Sequence, residues 1–372
     1  MHSMAIDRRR LLAGAGAAIA VGLAPRAAEA LAQSEMLILA PARREDGSFA
    51  VLVLSEDLEL IREVAVPARA HDLALHAPSG RAIVFARRPG TFAVAFDLHA
   101  RTAPQMIVAP PDRHFFGHGT FAADGKLLFA TENAFDAGES VIGIYDATGS
   151  YRRIGEFSTH GVGAHEVLLM PDGKTLAVAN GGIETHPDFP RQKLNLPTMD
   201  PSLAFFDLDG QLVAQHRLQR DHHRLSIRHM ALGAGGDIWF GAQWEGDPRH
   251  TPPLVGRASL DGLAVAAMPD RALNAMRAYV GSMAASRDGT TICASAPRGG
   301  ALFYWSAETG RYLGRSAIAD ASGVAGSGGK RFLTASGEGV IAAAGPHGAE
   351  TAAARPGIAF DNHLRIVRAA QS

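Results

Sequence analysis

Histidine stands beside or near another polar residue at five separate points, each just ahead of an apolar run. These points are His71-Asp72, His114 with His118, His165-Glu166, Arg228-His229 and Asn362-His363. Imidazole is the most frequent metal ligand in proteins and changes its charge near neutral pH. Several imidazoles with a carboxylate could bind zinc, copper or iron. A histidine that begins a strand also commonly hydrogen-bonds a neighbouring backbone, so a structural role stays open for each.

A second group of polar residues follows apolar runs. It includes an unusually long segment, 181–201, and loops of this length often carry function. In that segment Asp188, Arg191 and Lys193 could orient an anionic ligand or a partner protein. The same residues could equally hold their own loop in place. Outside it, Arg228 and Arg298 could bind a carboxylate or phosphate, or could pair with Glu166 and Glu132.

The apolar runs form a repeated sequence pattern, and this pattern predicts where the fold places the polar residues described above. A run, a tight turn ending in glycine and a second run recur, with the turns ending at Gly80, Gly125, Gly173, Gly236, Gly289 and Gly329. Each copy is typical of a β-hairpin whose glycine supplies the positive φ of the turn. Hairpins repeated about every 40 to 63 residues indicate a β-propeller with one copy per blade.

The ends of the chain predict one further blade. Residues 36–40, 49–54 and 60–66 read as three strands without an inner partner, and residues 363–367 read as one strand left over. Propellers commonly close by pairing both termini in one blade, which leaves no free sheet edge. We therefore predict an all-β, seven-bladed propeller of four-stranded antiparallel blades, closed by the N- and C-terminal strands.

In such a ring, the start of each inner strand and the end of the next strand lie on one face. Polar residues at those positions should converge on one axial funnel, provided that the strand register directs them there. The predicted metal ligands are His118, His165, Glu166, His186 and His229. The predicted ligand- or partner-binding residues are His71, Glu132, Asn133, Asn180, Asp188, Arg191, Lys193, Arg228, Arg298 and His363.

The composition and the N-terminal residues limit the expected class of partner and the expected cellular location. The 372 residues carry 36 Lys and Arg against 37 Asp and Glu, which does not favour a nucleic-acid partner. Residues 1–32 join an arginine run at 8–10 to an apolar stretch and small-residue cleavage sites, after Ala30 or Ala32. This resembles a twin-arginine (Tat) signal. We predict export to the periplasm, a single domain over residues 33–372, no membrane span after signal removal, a monomer, and Cys293 in the core.

Several longer motifs resemble the bacterial domain-of-unknown-function family numbered 1513, through essentially the whole mature chain. They include Gly155-Glu-Phe-Ser-Thr-His-Gly-Val-Gly-Ala-His-Glu166, Ala179-Asn-Gly-Gly-Ile-Glu-Thr-His-Pro-Asp188, Ser226-Ile-Arg-His229 and Ser295-Ala-Pro-Arg-Gly-Gly300. The chain departs from the pattern at Ala164, where proline is expected, and at Phe189-Pro190, where glycine is expected. The resemblance implies a Tat-exported propeller, often encoded beside imelysin-like iron-uptake proteins and haem-type oxidoreductases, with no demonstrated reaction.

Three functions compete on these observations. The leading hypothesis is a non-catalytic binding propeller that holds a metal ion (Fe, Cu or Zn) at the funnel, or docks an iron-handling partner there. The alternative is a metal-dependent enzyme, either a redox protein or a lactonase-like hydrolase with Glu132, Asn133, Asn180 and Glu166 around a divalent cation. The third is a scaffold that would carry an exposed aromatic patch at Phe115, Phe116, Phe135 and Trp244.

Overall fold

The computed structural model describes residues 23–189 and 192–369, and in them seven antiparallel sheets form a ring. Blade 1 holds β1 (Met36–Arg43), β2 (Phe49–Ser55) and β3 (Leu60–Val66), with the C-terminal β28 (Ala359–Phe360) and β29 (Arg365–Arg368) on its inner side. Blade 2 holds β4 (Ala70–His76), β5 (Arg81–Ala86), β6 (Phe92–Asp97) and β7 (Gln105–Val108), and blade 3 holds β8 (His114–Phe121), β9 (Leu127–Ala134), β10 (Glu139–Asp146) and β11 (Arg152–Ser158). The seven-bladed propeller predicted from the sequence is confirmed.

The remaining blades repeat the same order from the axis outward. Blade 4 holds β12 (Ala164–Leu169), β13 (Thr175–Asn180), β14 (Ser202–Asp207) and β15 (Leu212–Arg217). Blade 5 holds β16 (Leu225–Leu232), β17 (Ile238–Trp244), β18 (Val255–Ser259) and β19 (Gly262–Val265). Blade 6 holds β20 (Ser282–Ala285), β21 (Thr291–Ala296), β22 (Ala301–Ser306) and β23 (Tyr312–Ala317), and blade 7 holds β24 (Ala321–Gly328), β25 (Arg331–Ser336), β26 (Val340–Gly345) and β27 (Gly348–Ala354).

The repeated hairpin forms the inner two strands of blades 2 to 7. Its six turn glycines all have positive φ, between 50° and 80°, which is the left-handed region that disfavours any residue with a Cβ. Neighbouring inner strands contact one another from β4 through β8, β12, β16, β20 and β24 to β29. The residues at the beginnings of these strands are therefore brought together around one axis.

The two ends of the chain close the ring in blade 1. Both β28 and β29 pair antiparallel with β1, with Ala42 opposite Phe360 and Ile38 opposite Ile366. The closing strand differs from the prediction in one respect, because residues 361–364 leave the ladder between its two halves. His363 lies in that interruption rather than at the start of a continuous strand.

Apolar layers between adjacent blades hold the ring together. The layer between blades 1 and 2 includes Leu37, Leu39, Val84 and Val94, all buried. Cys293 is buried beside Tyr304 in the layer between blades 6 and 7, which confirms it as a core residue. Such interlocked layers stabilise each blade only when both neighbours are present.

Helices are few in the described residues. They are α1 (Pro25–Gln33), α2 (Asp270–Ala275) and five 3₁₀ turns, at Ala77–Ser79, Leu196–Thr198, Arg220–His222, Pro248–His250 and Pro297–Gly299. Both predicted cleavage positions lie in α1, which contacts β3; the arginine run at 8–10 and the apolar stretch to residue 22 lie outside the described residues. Across residues 23–189 and 192–369, no helix has the length and apolar character needed to cross a membrane.

Ring closure can be tested with two substitutions in β29. Val367→Asp places a carboxylate in the buried layer beside Leu37, and an uncompensated buried charge should lower the free energy of unfolding by about 3 kcal/mol or more. Arg368→Asp, at the exposed neighbouring position, should change it by less than about 0.5 kcal/mol. Urea unfolding followed by tryptophan fluorescence measures both. Equal effects of the two variants would contradict closure through this strand.

Candidate functional site at the propeller axis

Five histidines from five blades meet at the axis: His71, His118, His165, His229 and His363. We call them the axial histidine cluster. Their neighbouring ring centroids are 4.7 to 5.7 Å apart, and the His118 ring contacts the other four. Every one is at most 7% exposed. The structure therefore brings together five of the predicted binding and metal residues, as the propeller topology required.

Irregular strand pairing aims these side chains at the axis. In blade 4 the ladder passes from Ala164 to Glu166 against consecutive partners, which leaves His165 as an extra residue. Comparable register shifts occur at 70–73, 115–119 and 227–229, and at the interruption 361–364. A β-bulge bends its strand and redirects the side chains beside it. Each axial histidine lies in or next to such a shift.

One glycine shows how closely this region is packed. Gly117, one residue before His118, has a φ of 109°. A Cβ placed there would lie 2.6 Å from Cδ2 of His71, closer than any side chain allows. Glycine at 117 therefore lets the β8 bulge form against the imidazole of blade 2.

Buried carboxylates lie behind the histidine rings, and one arginine bridges two of them. Arg365 of β29 donates from Nε to Asp72 at 2.8 Å and lies 3.4 Å from Glu166. Asp72 also accepts a hydrogen bond from Nδ1 of His118 at 2.9 Å. Glu166 accepts one from the backbone nitrogen of Met230 at 3.0 Å. Blades 1, 2, 3, 4 and 5 are thus tied through a single network of charges and hydrogen bonds.

Three of the other axial imidazoles, those of His71, His229 and His363, have a similar oxygen near Nδ1. Asp361 lies 3.5 Å from Nδ1 of His71, Glu166 lies 3.6 Å from Nδ1 of His229, and the Ser282 hydroxyl lies 3.2 Å from Nδ1 of His363. A carboxylate behind one ring nitrogen fixes the tautomer and orients the other nitrogen, as in carboxylate–histidine–metal sites. The opposite nitrogens of His118 and His363 have no hydrogen-bond partner in the described chain.

The environment favours the neutral imidazole at four of the axial histidines, His71, His165, His229 and His363. Burial away from water lowers the pKa of His71 to about 3, and it lowers the pKa of His165 and His363 well below the usual value. Burial also lowers the pKa of His229, against the opposing effect of Glu166. A neutral imidazole has the lone pair that a metal ion requires.

Three sets of ligand atoms are close enough to hold an ion. The nitrogens of His71, His118 and His165 lie within 4.8 Å of one another, and so do those of His118, His229 and His363. A third set joins Asp72 and Glu166 to His118, but the Arg365 guanidinium already binds both carboxylates. Nitrogen ligands are therefore the ones available, and Glu166, a predicted metal ligand, has a charge partner and a backbone donor instead.

Three predicted residues lie inside the blades, away from the axial cluster. Glu132 is fully buried and accepts hydrogen bonds from Tyr145 at 2.6 Å and Arg153 at 2.8 Å. Asn133 donates to the Thr185 carbonyl, and Asn180 donates to Thr159 and Ser202. The structure does not bring Glu132, Asn133 and Asn180 together around a common point, as a lactonase-like cation site would need.

The long segment 181–201 places its predicted residues near the funnel rim. His186 lies 3.6 Å from Asp136 and 3.7 Å from Asp188, apart from the axial cluster. Lys193 forms a salt bridge with Glu245. Arg191 lies outside the described residues. The predicted aromatic patch is not formed, because Phe115 and Phe116 are 0% and 3% exposed and pack inside the fold.

A cavity of about 250 Å³ lies above the axial cluster on the same face. We call it the cationic cavity. It is lined by His71, Arg87, Arg88, Phe116, His165, Lys193, Arg228, His229, Gln243, Trp244, Glu245, Ala278, Tyr279, Arg298 and Asn362. The predicted residues Lys193, Arg228 and Arg298 are among them. Sequence reasoning missed Arg87, Arg88, Asp361 and Arg365; a charge within the predicted inner strand 363–367 was the signal for Arg365.

Comparisons with known proteins support the family and the fold. The sequence model of the family described as "Protein of unknown function (DUF1513)" matches residues 64–367. Hydrazine synthase of Kuenenia stuttgartiensis has a similar fold, at 15% identity and a TM-score of 0.57, covering 89% of this chain and 95% of that one. A nidogen/laminin complex (12% identity, TM-score 0.49, 75% and 92% covered) and Hsv2 of Kluyvelomyces marxianus (9%, 0.47, 74% and 75%) are more distant. No curated protein matches the chain.

The role of Arg365 can be measured directly. Arg365→Met leaves Asp72 and Glu166 buried without their cation, which should lower the free energy of unfolding by about 3–5 kcal/mol. Adding Asp72→Asn and Glu166→Gln to that variant should restore much of the loss. Arg249→Met, whose side chain is 81% exposed and pairs with Asp247, is the control and should cost less than about 1 kcal/mol. A loss of that size in Arg365→Met would contradict the assigned role.

A histidine outside the cluster gives a pH test. His114 donates from Nδ1 to the Phe115 carbonyl at 2.9 Å, and its Nε2 lies 2.9 Å from the Asn133 amide. Burial lowers the pKa of His114 to about 4, and the charges of Arg88 and His186 act in the same direction. Between pH 6.5 and 4, His114 is therefore protonated in the unfolded chain but not in the folded chain. The free energy of unfolding consequently falls as the pH falls through this range.

His114→Gln should remove this part of the acid sensitivity, up to about 3 kcal/mol between pH 7 and pH 4. Urea midpoints at a series of pH values measure it. The matched control is His250→Gln, at a side chain 80% exposed, which should keep the pH dependence of the parent protein. An unchanged slope in His114→Gln would show that His114 does not titrate as described.

Proposed function

Because the chain belongs to the family described as "Protein of unknown function (DUF1513)", its role has to come from its site, and we propose that it binds a transition-metal ion at the axial histidine cluster. It acts as a binding protein rather than as an enzyme. The observation that carries the proposal is the cluster itself. Five buried imidazoles from separate blades face one another, and carboxylates or a hydroxyl lie behind four of them.

A purely structural role explains this arrangement less well. Buried polar groups are normally hydrogen-bonded, yet one ring nitrogen each of His118, His165 and His363 has no hydrogen-bond partner and no nearby carboxylate in the described chain. Leaving a buried polar atom unsatisfied costs about 1–3 kcal/mol. Three such atoms in one place would make an unfavourable core, whereas a metal ion would satisfy more than one of them at once.

The set His71, His118 and His165 is the better site of the two histidine sets. His71 and His165 both line the cationic cavity, whereas only His229 of the other set does. An ion held by three imidazoles keeps a coordination position open, and here that position would face the cavity. Zinc, copper and ferrous iron are the candidates, since imidazole suits all three.

Location and partner belong to the proposal as well. The twin-arginine-like N-terminus supports export to the periplasm, and the family resemblance supports an imelysin-like or haem-type partner engaged in iron handling. Together they make the chain a periplasmic holder of a metal ion or a docking protein for such a partner. Fractionation of cells that express the chain with Arg8 and Arg9 intact or replaced by Lys tests the export route.

Metal binding is tested on protein stripped with EDTA and then freed of EDTA by gel filtration. Equilibrium dialysis against Zn²⁺, Cu²⁺ or, without oxygen, Fe²⁺, followed by elemental analysis, should give one ion per chain. His118→Gln removes a member of both histidine sets and should weaken binding more than about 100-fold, beyond the 10–100-fold cost of losing a supporting contact. His71→Gln should do the same, and His363→Gln should not.

His186→Gln is the matched control, because that side chain lies apart from the cluster and is 25% exposed. It should bind like the parent protein. Circular dichroism and the melting temperature establish that each variant is folded. If the parent chain takes up none of the three ions, or if His118→Gln binds as tightly as the parent, the proposed function is wrong.

A further inference from the structure

The cationic cavity carries more positive charge than the carboxylates near it balance. Five cationic side chains and one carboxylate line it, which gives a formal charge of +4 without the histidines. The whole chain, in contrast, has a net charge of −1. The cavity is therefore far more positive than the chain as a whole.

Most of this charge has no partner within the chain. Salt bridges tie Arg87 to Asp361 at 3.6 Å and Lys193 to Glu245. Among residues 23–189 and 192–369, Arg88, Arg228 and Arg298 have no carboxylate within 4.0 Å, and Arg298 lies over the Tyr279 ring at 4.3 Å instead. Three guanidinium groups at one cavity are thus free to bind a ligand.

Arg228 is the most informative of the three. It is 6% exposed, it lines the cavity, and its buried Nε has no hydrogen-bond partner in the described chain. A buried guanidinium is unfavourable unless it is paired. Burial and the nearby charges of Arg228 and Arg87 also lower the pKa of Arg88 to about 10, so the cavity is electrostatically strained as it stands.

We propose that the cationic cavity binds a small, multiply charged oxyanion, a di- or tricarboxylate or a phosphate, through Arg88, Arg228 and Arg298. The planar guanidinium matches the paired oxygens of both carboxylate and phosphate. A volume of about 250 Å³, just below the roughly 300–1,000 Å³ of drug-sized sites, limits the ligand to a small molecule. Phe116, Trp244 and Tyr279 complete the wall.

The anion would lie directly over the axial histidine cluster, since His71, His165 and His229 line the same cavity. The arginine site does not require a metal, so this proposal goes beyond the proposed function and can hold without it. A metal ion held by His71 and His165 would border the same cavity, where the anion would supply it with an oxygen ligand. The ligand class is then a small anion that can bind arginine and metal together.

The experiment is isothermal titration calorimetry on protein without metal or EDTA, because EDTA is itself a polycarboxylate. The probes are citrate, inorganic phosphate and acetate, at pH 7.5 and low ionic strength. Citrate or phosphate should bind at least about 10-fold more tightly than acetate, and 0.5 M sodium chloride should weaken the binding. Tighter binding of citrate identifies a carboxylate ligand, and tighter binding of phosphate identifies a phosphate ligand.

The variants separate this site from other causes of binding. Arg298→Gln changes an exposed side chain and should weaken binding about 10-fold or more, as expected for loss of a charge-assisted hydrogen bond. Arg228→Gln should weaken it further, and its folding is checked by circular dichroism. The control Arg249→Gln lies on an exposed turn and should bind like the parent.

His118→Gln distinguishes the two proposals, because it should lose metal binding and keep the binding of citrate or phosphate. Absence of heat with both polyanions, equal affinity for acetate, or unchanged affinity in Arg298→Gln together with folded Arg228→Gln would each overturn the anion site. Loss of metal binding alone leaves it standing.

Discussion

The contact between Arg365 and the two carboxylates Asp72 and Glu166 is the constraint on which the rest of the axis depends. Two acids at most 2% exposed, one from blade 2 and one from blade 4, would repel each other and lose hydration without a cation between them. Arg365 comes from the strand that closes the ring, so the ion cluster forms only when both ends of the chain meet. The carboxylates can then orient His118 and His229. Ring closure, charge balance and the direction of the imidazoles are therefore one coupled event.

The parts of this fold that the sequence predicts are those determined by local chemistry. Gly80, Gly125 and Gly173 define turns because a tight hairpin needs positive φ, and that requirement can be read at a single position. The strands left over after the six hairpins, within residues 36–66 and at the C-terminus, then predict that the two ends of the chain close the ring in one blade. The convergence of the histidines follows from topology, since all inner strands begin on one face.

The parts that could not be predicted depend on register. Strict alternation would send His165 and Glu166 to opposite faces, but the bulge after Ala164 lets both take part in the axial network. Glu132, near the end of a second strand, is predicted from the sequence to face the same funnel as Glu166, yet it faces Arg153 within its own blade. Arg365 likewise becomes a counter-ion only because blades 2 and 4 bring their acids to it.

The axial histidine cluster and the cationic cavity above it differ in charge for a physical reason. Burial and the positive charge of Arg228 both lower the pKa of His165 and His229, so the cations above help to keep the imidazoles unprotonated. Asp361 connects the two levels, because it lies near Nδ1 of His71 and also engages Arg69 and Arg87. Groups shared by the cationic cavity and the axial histidine cluster therefore affect both the positive charge of the cavity and the lone pairs of the imidazoles.

This division bears on which ion the proposed metal site would prefer. A hard ion such as Mg²⁺ or Ca²⁺ prefers carboxylate and carbonyl oxygens, but the axial carboxylates are already bound to Arg365 and to histidine Nδ1 atoms. Releasing them would leave the arginine buried without a partner. The imidazole nitrogens are not bound to Arg365, so an ion that accepts neutral imidazole can enter without disturbing the contacts between Arg365 and the carboxylates. For the metal site that we propose, the ion pairs that stabilise the ring therefore favour the borderline divalent ions over the hard ones.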